Sequence, residues 1–267
     1  MSEKAGHRGP RPETGRRELE ASLKRADAEY AQFAYAASHD LLAPLNKIAA
    51  FQDLLEHSLE KSLDEQSRDY LARMCRAVGQ QRRLIDGLSA LARVAAGNAP
   101  PEDIDPVPLA REAAADVSGR RAQPDASIAI GTLPPLNADP IQLRLLFQIL
   151  LDNALKFRRL DAPARVEVEG RELKDGFCEI IVADKGIGFD EKYLDRIFKP
   201  FQRLHGAAEY DGAGMGLAIA EKIVSRHQGT ITARSTPGAE TAFVVRLPGA
   251  KSDAVKAGRS RSYSRSA

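Results

Sequence analysis

Cysteine is scarce in this 267-residue chain: only Cys75 and Cys178 occur, far apart and in unrelated surroundings. That excludes a disulfide framework or a cysteine-based metal cluster, and it fits a reducing compartment. Long apolar runs are missing as well. None approaches the ~18 residues that cross a bilayer, and the polar N-terminus has no signal-peptide pattern. A cytoplasmic location without a membrane span is the expectation. There is no Walker lysine motif and no dinucleotide fingerprint, so any nucleotide must be held by another arrangement. The helix spacings are too irregular for a repeat.

Excess charge is confined to the ends. The chain carries a net +2, of which residues 1–17 supply +3 and residues 249–267 supply +4, leaving the body at −5. The basic balance therefore belongs to two tails that read as disordered, and it is not taken as a nucleic-acid footprint. With 43% hydrophobic residues there is ample material for a core.

Between the tails two regions differ in pattern. Residues 18–98 read as two long helices separated by a polar break near 60–66. Heptads run through both: Leu41/Ile48/Leu55 and Leu45/Gln52/Leu59 on the first, and Tyr70 through Ala95 in steps of four and three on the second. One antiparallel pair cannot bury two such stripes, whereas two copies can, as a four-helix bundle, so a homodimer is expected. A Gly-Asn-Ala-Pro-Pro linker at 97–101 ends this region. Residues 103–248 then mix strand and helix signals. Strands are expected at 127–131, 165–171, 177–183, 230–235 and 241–247, and helices at 107–118, 139–157, 191–197 and 216–227. The second region is thus an α/β (α+β) sandwich with helices on one face of a sheet.

The first region is organised around Ser38-His39-Asp40-Leu41-Leu42-Ala43-Pro44. At ~100° per residue, Leu41, Leu45, Ile48, Leu55 and Leu59 fall about 160–240° away from His39, which aims the imidazole outward. Pro44 removes the N–H that would bond the Asp40 carbonyl, so a bend is expected one turn after His39. A lone outward histidine would ordinarily mean nothing; what changes its weight is a second set of residues downstream.

That set has four parts. Asn153 and Lys156, three apart on an apolar helix, share a face; an amide oxygen suits Mg²⁺, and a lysine suits phosphates. Asp184-Lys185-Gly186-Ile187-Gly188 follows an apolar strand. Ile197-Phe198-Lys199-Pro200-Phe201 brings aromatics to a loop region between 189 and 212. Gly212-Ala213-Gly214-Met215-Gly216 opens a helix whose N-terminal N–H groups favour anions. Each run alone has a plainer explanation, such as a solvent-facing polar pair, a hairpin turn or core packing.

Taken in order, the His39 run and these four boxes resemble the sensor histidine kinases of two-component systems, phytochrome-type transmitters among them, over roughly residues 20–247. The resemblance implies a helical hairpin forming a dimeric four-helix bundle, followed by an ATP-binding domain of the histidine kinase/Hsp90-like ATPase type. It implies His39 as phospho-acceptor with Asp40 beside it, and ATP with Mg²⁺ as cofactors. The resemblance implies Asn153 as the metal ligand. Lys156, Asp184, Gly186, Gly188, Gly212, Gly214 and Gly216 contribute to the nucleotide site, Asp184 accepting from the adenine amino group. The implied partner is a response-regulator receiver domain; residues 1–30 are too short for an input domain, so the expectation is a separate input protein or no input domain at all. Three positions depart from the family pattern: Ala43 stands where a polar residue often aids dephosphorylation, Ile149 where an Asn is frequent, and Glu240 where glycine is usual. The rival reading is a phosphotransfer or scaffold protein of the same fold that uses no ATP.

Overall fold

The computed structural model describes residues 12–59, 62–97, 99–121, 125–204, 210 and 212–251. Helix α1 (Pro12–Leu59) and helix α2 (Glu65–Ala96) form an antiparallel hairpin. Asp64 caps α2, its carboxylate accepting the Ser67 N–H at 2.8 Å, which satisfies one of the orphan donors of the first turn. Helix α1 starts at Pro12, upstream of the boundary that composition suggested; proline suits a first helical position because its missing N–H has no intrahelical partner there. Pro44 lies inside an unbroken α1.

The hairpin covers only one of its apolar stripes. Ala34, Ser38 and Gln52 of α1 and Ile85, Ala92 and Ala95 of α2 are buried. Leu41, Ile48 and Leu55, each one heptad apart, stay about half exposed, as do Tyr70 and Met74 on α2. The heptad read along α2 is therefore divided. Leu88 and Ala95 pack with Ala34 of α1, Leu91 packs against the core of the second region, and Tyr70 and Met74 look outward.

The second region follows as β1 (Glu102–Ile104), α3 (Pro106–Arg121), β2 (Ser127–Ile130), β3 (Leu136–Ala138), α4 (Pro140–Lys156), β4 (Arg165–Glu172), β5 (Phe177–Asp184), a 3-10 turn (Glu191–Tyr193), α5 (Leu194–Ile197), α6 (Gly216–Arg226), β6 (Thr230–Thr236) and β7 (Glu240–Pro248). Five strands form a sheet in the order β2-β4-β5-β7-β6, with β2 parallel to β4 and the other neighbours antiparallel. The strands β1 and β3 make a separate antiparallel pair. Each has three residues, too few for alternation to be read from sequence. Phe147, Leu150 and Leu151 of α4 and Ile223 of α6 pack with Val168, Ile180 and Val245 of the sheet in one core.

Strand β5 alternates strictly. Cys178, Ile180, Val182 and Asp184 are buried, and the residues between them are half-buried. The last member of the core-facing series is a carboxylate, so the period-2 geometry of a strand forces Asp184 inward. At the C-terminus, the Gly249 and Ala250 N–H groups donate to the carbonyls of Gly176 and Pro135. The chain thus stays packed past residue 248; the rest of the basic tail, from 252, and residues 1–11 lie outside the described residues.

His227 ties the start of α4 to the end of α6. It is buried, its Nε2 accepts the Asp139 N–H at 2.9 Å, and its Nδ1 lies 2.8 Å from the Ile223 carbonyl. The carbonyl only accepts, so Nδ1 carries the hydrogen and the ring is neutral. The Asp139 carboxylate in turn caps α4 through the N–H groups of Ile141 and Gln142. Replacing His227 with Ala leaves the buried Asp139 N–H unpaired and opens a cavity. We expect a loss of about 2–4 kcal/mol in urea denaturation.

Candidate active site

The C-terminal end of α4, the end of β5 and the start of α6 meet around a cavity of about 550 Å³. Asn153, Lys156, Asp184, Gly188, Gly212, Gly214 and Gly216 all line it. Seven of the eight residues assigned to a nucleotide site from sequence are thereby brought together. The eighth, Gly186, acts one step back: its N–H donates to Asp184 Oδ1 at 2.9 Å and orients the carboxylate.

Asp184 is 6% exposed. Burial pushes its pKa up to about 7; the Gly186 N–H pulls it down, and the negative charge of Glu240 pushes it further up. Glu240 stands where the family usually has glycine, so this departure acts on the electrostatics of the pocket floor.

Two glycines are required by shape. Gly188 has φ +60°, and a Cβ there would lie 2.1 Å from the Thr236 carbonyl oxygen. Gly214 has φ +70°, and a Cβ would lie 2.7 Å from the Gln202 carbonyl oxygen. Both combine a left-handed backbone with a close approach that no side chain tolerates.

Lys156 Nζ lies 4.5 Å from the Phe157 ring centroid, beside Gly212 at the cavity wall. The Asn153 side chain is half-buried and makes no hydrogen bond to the protein among the described residues. A neutral amide oxygen available in a cavity that also holds a lysine fits a hard cation carried in with phosphates. The neighbouring Asp152 is clamped by Arg121 through two bonds of 2.7 Å, which fixes this end of α4 to α3. The two aromatics of the 198–201 run divide: Phe198 is buried, whereas Phe201 is half exposed with φ +63°.

His39 and Asp40 lie outside this cavity, on α1. Their side chains are 78% and 85% exposed, and His39 Nδ1 lies 3.3 Å from Asp40 Oδ1. The imidazole is turned away from the hairpin's packed stripe, as the helical period demanded.

Two family models match the chain. Residues 29–97 match the His Kinase A (phospho-acceptor) domain, and residues 138–251 match the Histidine kinase-, DNA gyrase B-, and HSP90-like ATPase domain. The chain carries a sensor histidine kinase transmitter module. It is 37% identical over 231 residues to the phytochrome-like protein Cph1 of Synechocystis, covering 86% of this chain and 31% of that protein. It is 31% identical to the histidine protein kinase DivJ of Caulobacter vibrioides, covering 87% of this chain and 40% of that protein. Among solved structures, full-length ShkA in complex with AMPPNP superposes with a TM-score of 0.61 at 26% identity, covering 83% of this chain and 46% of that one. The chain thus spans about a third of the length of its phytochrome-like relatives.

In this transmitter module, Ile149 packs on the start of α6, its Cγ2 3.4 Å from where a Cβ on Gly216 would sit. The position where an Asn is frequent thus packs against the hydrophobic core. Helix α2 also borders the cavity, through Arg83, Asp86, Gly87 and Ala90. Nothing in the local sequence singles these residues out, because they reach the site only by the docking of α2 on α6. No helix among the described residues is long and apolar enough to cross a membrane.

Proposed function

We propose that this transmitter module phosphorylates itself on His39 from ATP and passes the phosphoryl group to an aspartate of a response-regulator receiver domain. The observation that carries the reading is the convergence of Asn153, Lys156, Asp184 and the glycines on one cavity, in a chain that also presents His39 outward on α1. Nothing favours the scaffold alternative, which has no use for such a cavity.

The contact from Asp40 to Nδ1 supports chemistry at the other ring nitrogen. With Nδ1 protonated and directed at Asp40, the lone pair of Nε2 attacks the γ-phosphorus, a P–N bond forms and ADP leaves. Asp40 stabilises the resulting imidazolium and takes up the Nδ1 proton. Asp184 accepts from the adenine amino group, Lys156 neutralises phosphate charge, and the backbone of 212–216 lines the phosphates. Mg²⁺ held by Asn153 would add charge neutralisation on the phosphate oxygens. The rate enhancement comes mainly from positioning and fixed charge. Incubation with γ-labelled ATP should give acid-labile, alkali-stable label that a receiver domain then removes; acid-stable label would refute a phosphohistidine.

The same reading makes the protein a cytoplasmic phosphoprotein that works as a homodimer. The uncovered stripe of Leu41, Ile48, Leu55, Tyr70 and Met74 supports the dimer, since it is the surface a second hairpin would bury. Placing Glu at Ile48 puts a charge at the centre of that seam in both copies. Dimer association should weaken by roughly two to three orders of magnitude in sedimentation equilibrium.

A further inference from the structure

We propose that Arg83 of α2, which belongs to the module carrying the phospho-acceptor, is a phosphate-binding and positioning residue of the nucleotide site. The inference rests on the cavity being that site. Among the residues on the cavity wall, Arg83, Asp86, Gly87 and Ala90 come from α2 and all the others from the second region. The seating of α2 is tight. A Cβ on Gly87 would lie 2.6 Å from Met215 Cγ and 2.7 Å from Met215 Cβ, so glycine at this point lets α2 close on the residue just before α6. The seat is tied again at the other end of α6, where the Arg226 guanidinium donates to the carbonyls of Ala95, at 2.6 Å, and Gly97 at the end of α2.

The region Gly87 touches is the anion end of the cavity. Met215 immediately precedes Gly216, whose turn opens α6 and presents unpaired backbone N–H groups. Lys156 Nζ and Gly212 lie along the same wall. Arg83 is one helical turn before Gly87, at i and i+4, and so shares the face of α2 that meets this end. Asp86 lines the wall too, so α2 brings a charge pair; the guanidinium is the member suited to phosphate, which it can bind through two parallel N–H bonds. A nucleotide held in this way bridges both modules. Its occupancy and the seating of α2 are then coupled reciprocally: moving α2 changes the affinity for triphosphate, and triphosphate favours the seated helix.

The experiment is calorimetric titration of the full chain with ATP·Mg and, separately, with adenosine, which has no phosphates. Arg83→Ala should weaken ATP·Mg binding about tenfold while leaving adenosine unchanged. Arg83→Glu should weaken ATP·Mg further. Unchanged ATP·Mg affinity in the alanine variant would overturn the proposal. So would an equal loss for adenosine, which would mark a merely structural role, or a glutamate variant no weaker than alanine. If the unaltered chain binds neither ligand, the nucleotide reading of the cavity fails, and this inference fails with it.

Discussion

Exchanging His39 for Gln should reduce phosphoryl incorporation from γ-labelled ATP to background, a loss of at least three orders of magnitude, while nucleotide binding stays intact. The direction follows from placement. The imidazole is 78% exposed and its only described partner is Asp40, so glutamine removes the nucleophile without opening a cavity or stranding a buried group. Stability should change by no more than about 0.5 kcal/mol, as for a surface substitution on a helix. His39 is absent from the cavity wall, so calorimetric affinity for ATP·Mg should match the unaltered chain. Incorporation and binding therefore separate in this variant and in no variant of the cavity. Asp40→Asn should retain some labelling at a rate about a hundredfold lower, because the amide no longer stabilises an imidazolium or takes up its proton. Label that survives in His39→Gln would move the acceptor elsewhere.

The second large effect lies at Asp184. Asp184→Asn should weaken nucleotide binding by about a hundredfold or more and at the same time stabilise the empty protein at pH 8. The asparagine oxygen can still accept the Gly186 N–H, which turns its NH₂ group toward the adenine amino group; two donors then face each other. The stability gain has its source in the buried charge. With a folded pKa of about 7, above the ordinary value of 3.8, Asp184 binds its proton more tightly in the native state than in the unfolded one. Its contribution is most favourable below the unfolded pKa. It declines as pH rises toward 7 and is flat and unfavourable above, a cost that the neutral amide does not incur.

The same titration shapes binding. The ionised carboxylate is the better acceptor for the adenine amino group, so affinity for ADP·Mg should rise roughly tenfold between pH 6 and pH 8, one unit either side of the pKa. In Asp184→Asn the slope should vanish. A flat profile in the unaltered chain would show that the carboxylate does not bear on the base. Glu240 adds to this tuning from β7, so the residue at a usual glycine position helps, after burial, to raise the Asp184 pKa.

Much of the site was legible in the chain because its determinants are local. The apolar strand that ends in Asp184, the helix start at Asp139, and the three-residue spacing of Asn153 and Lys156 are read from neighbours within one or two turns. All five strands of the main sheet and the helices on its face were placed from such patterns. The short β1–β3 pair was not, because three residues carry no periodicity. The outward aim of His39 was legible for the same reason as the strands: a helix of fixed pitch relates it to Leu41, Ile48 and Leu55 without reference to anything distant.

The sequence by itself therefore determined which elements form, which face of each is apolar, and which side chains are candidates for the cavity and for the exposed histidine of α1. These follow from backbone periodicity and from capping and turn chemistry. Only the tertiary structure decided that α2 closes on the start of α6, that Arg83 thereby enters the nucleotide cavity, and that Glu240 acts on Asp184. Those depend on the fit between groups far apart in the chain, such as the absent side chain of Gly87 against Met215, and no local pattern encodes a contact whose two halves are separated by more than fifty residues.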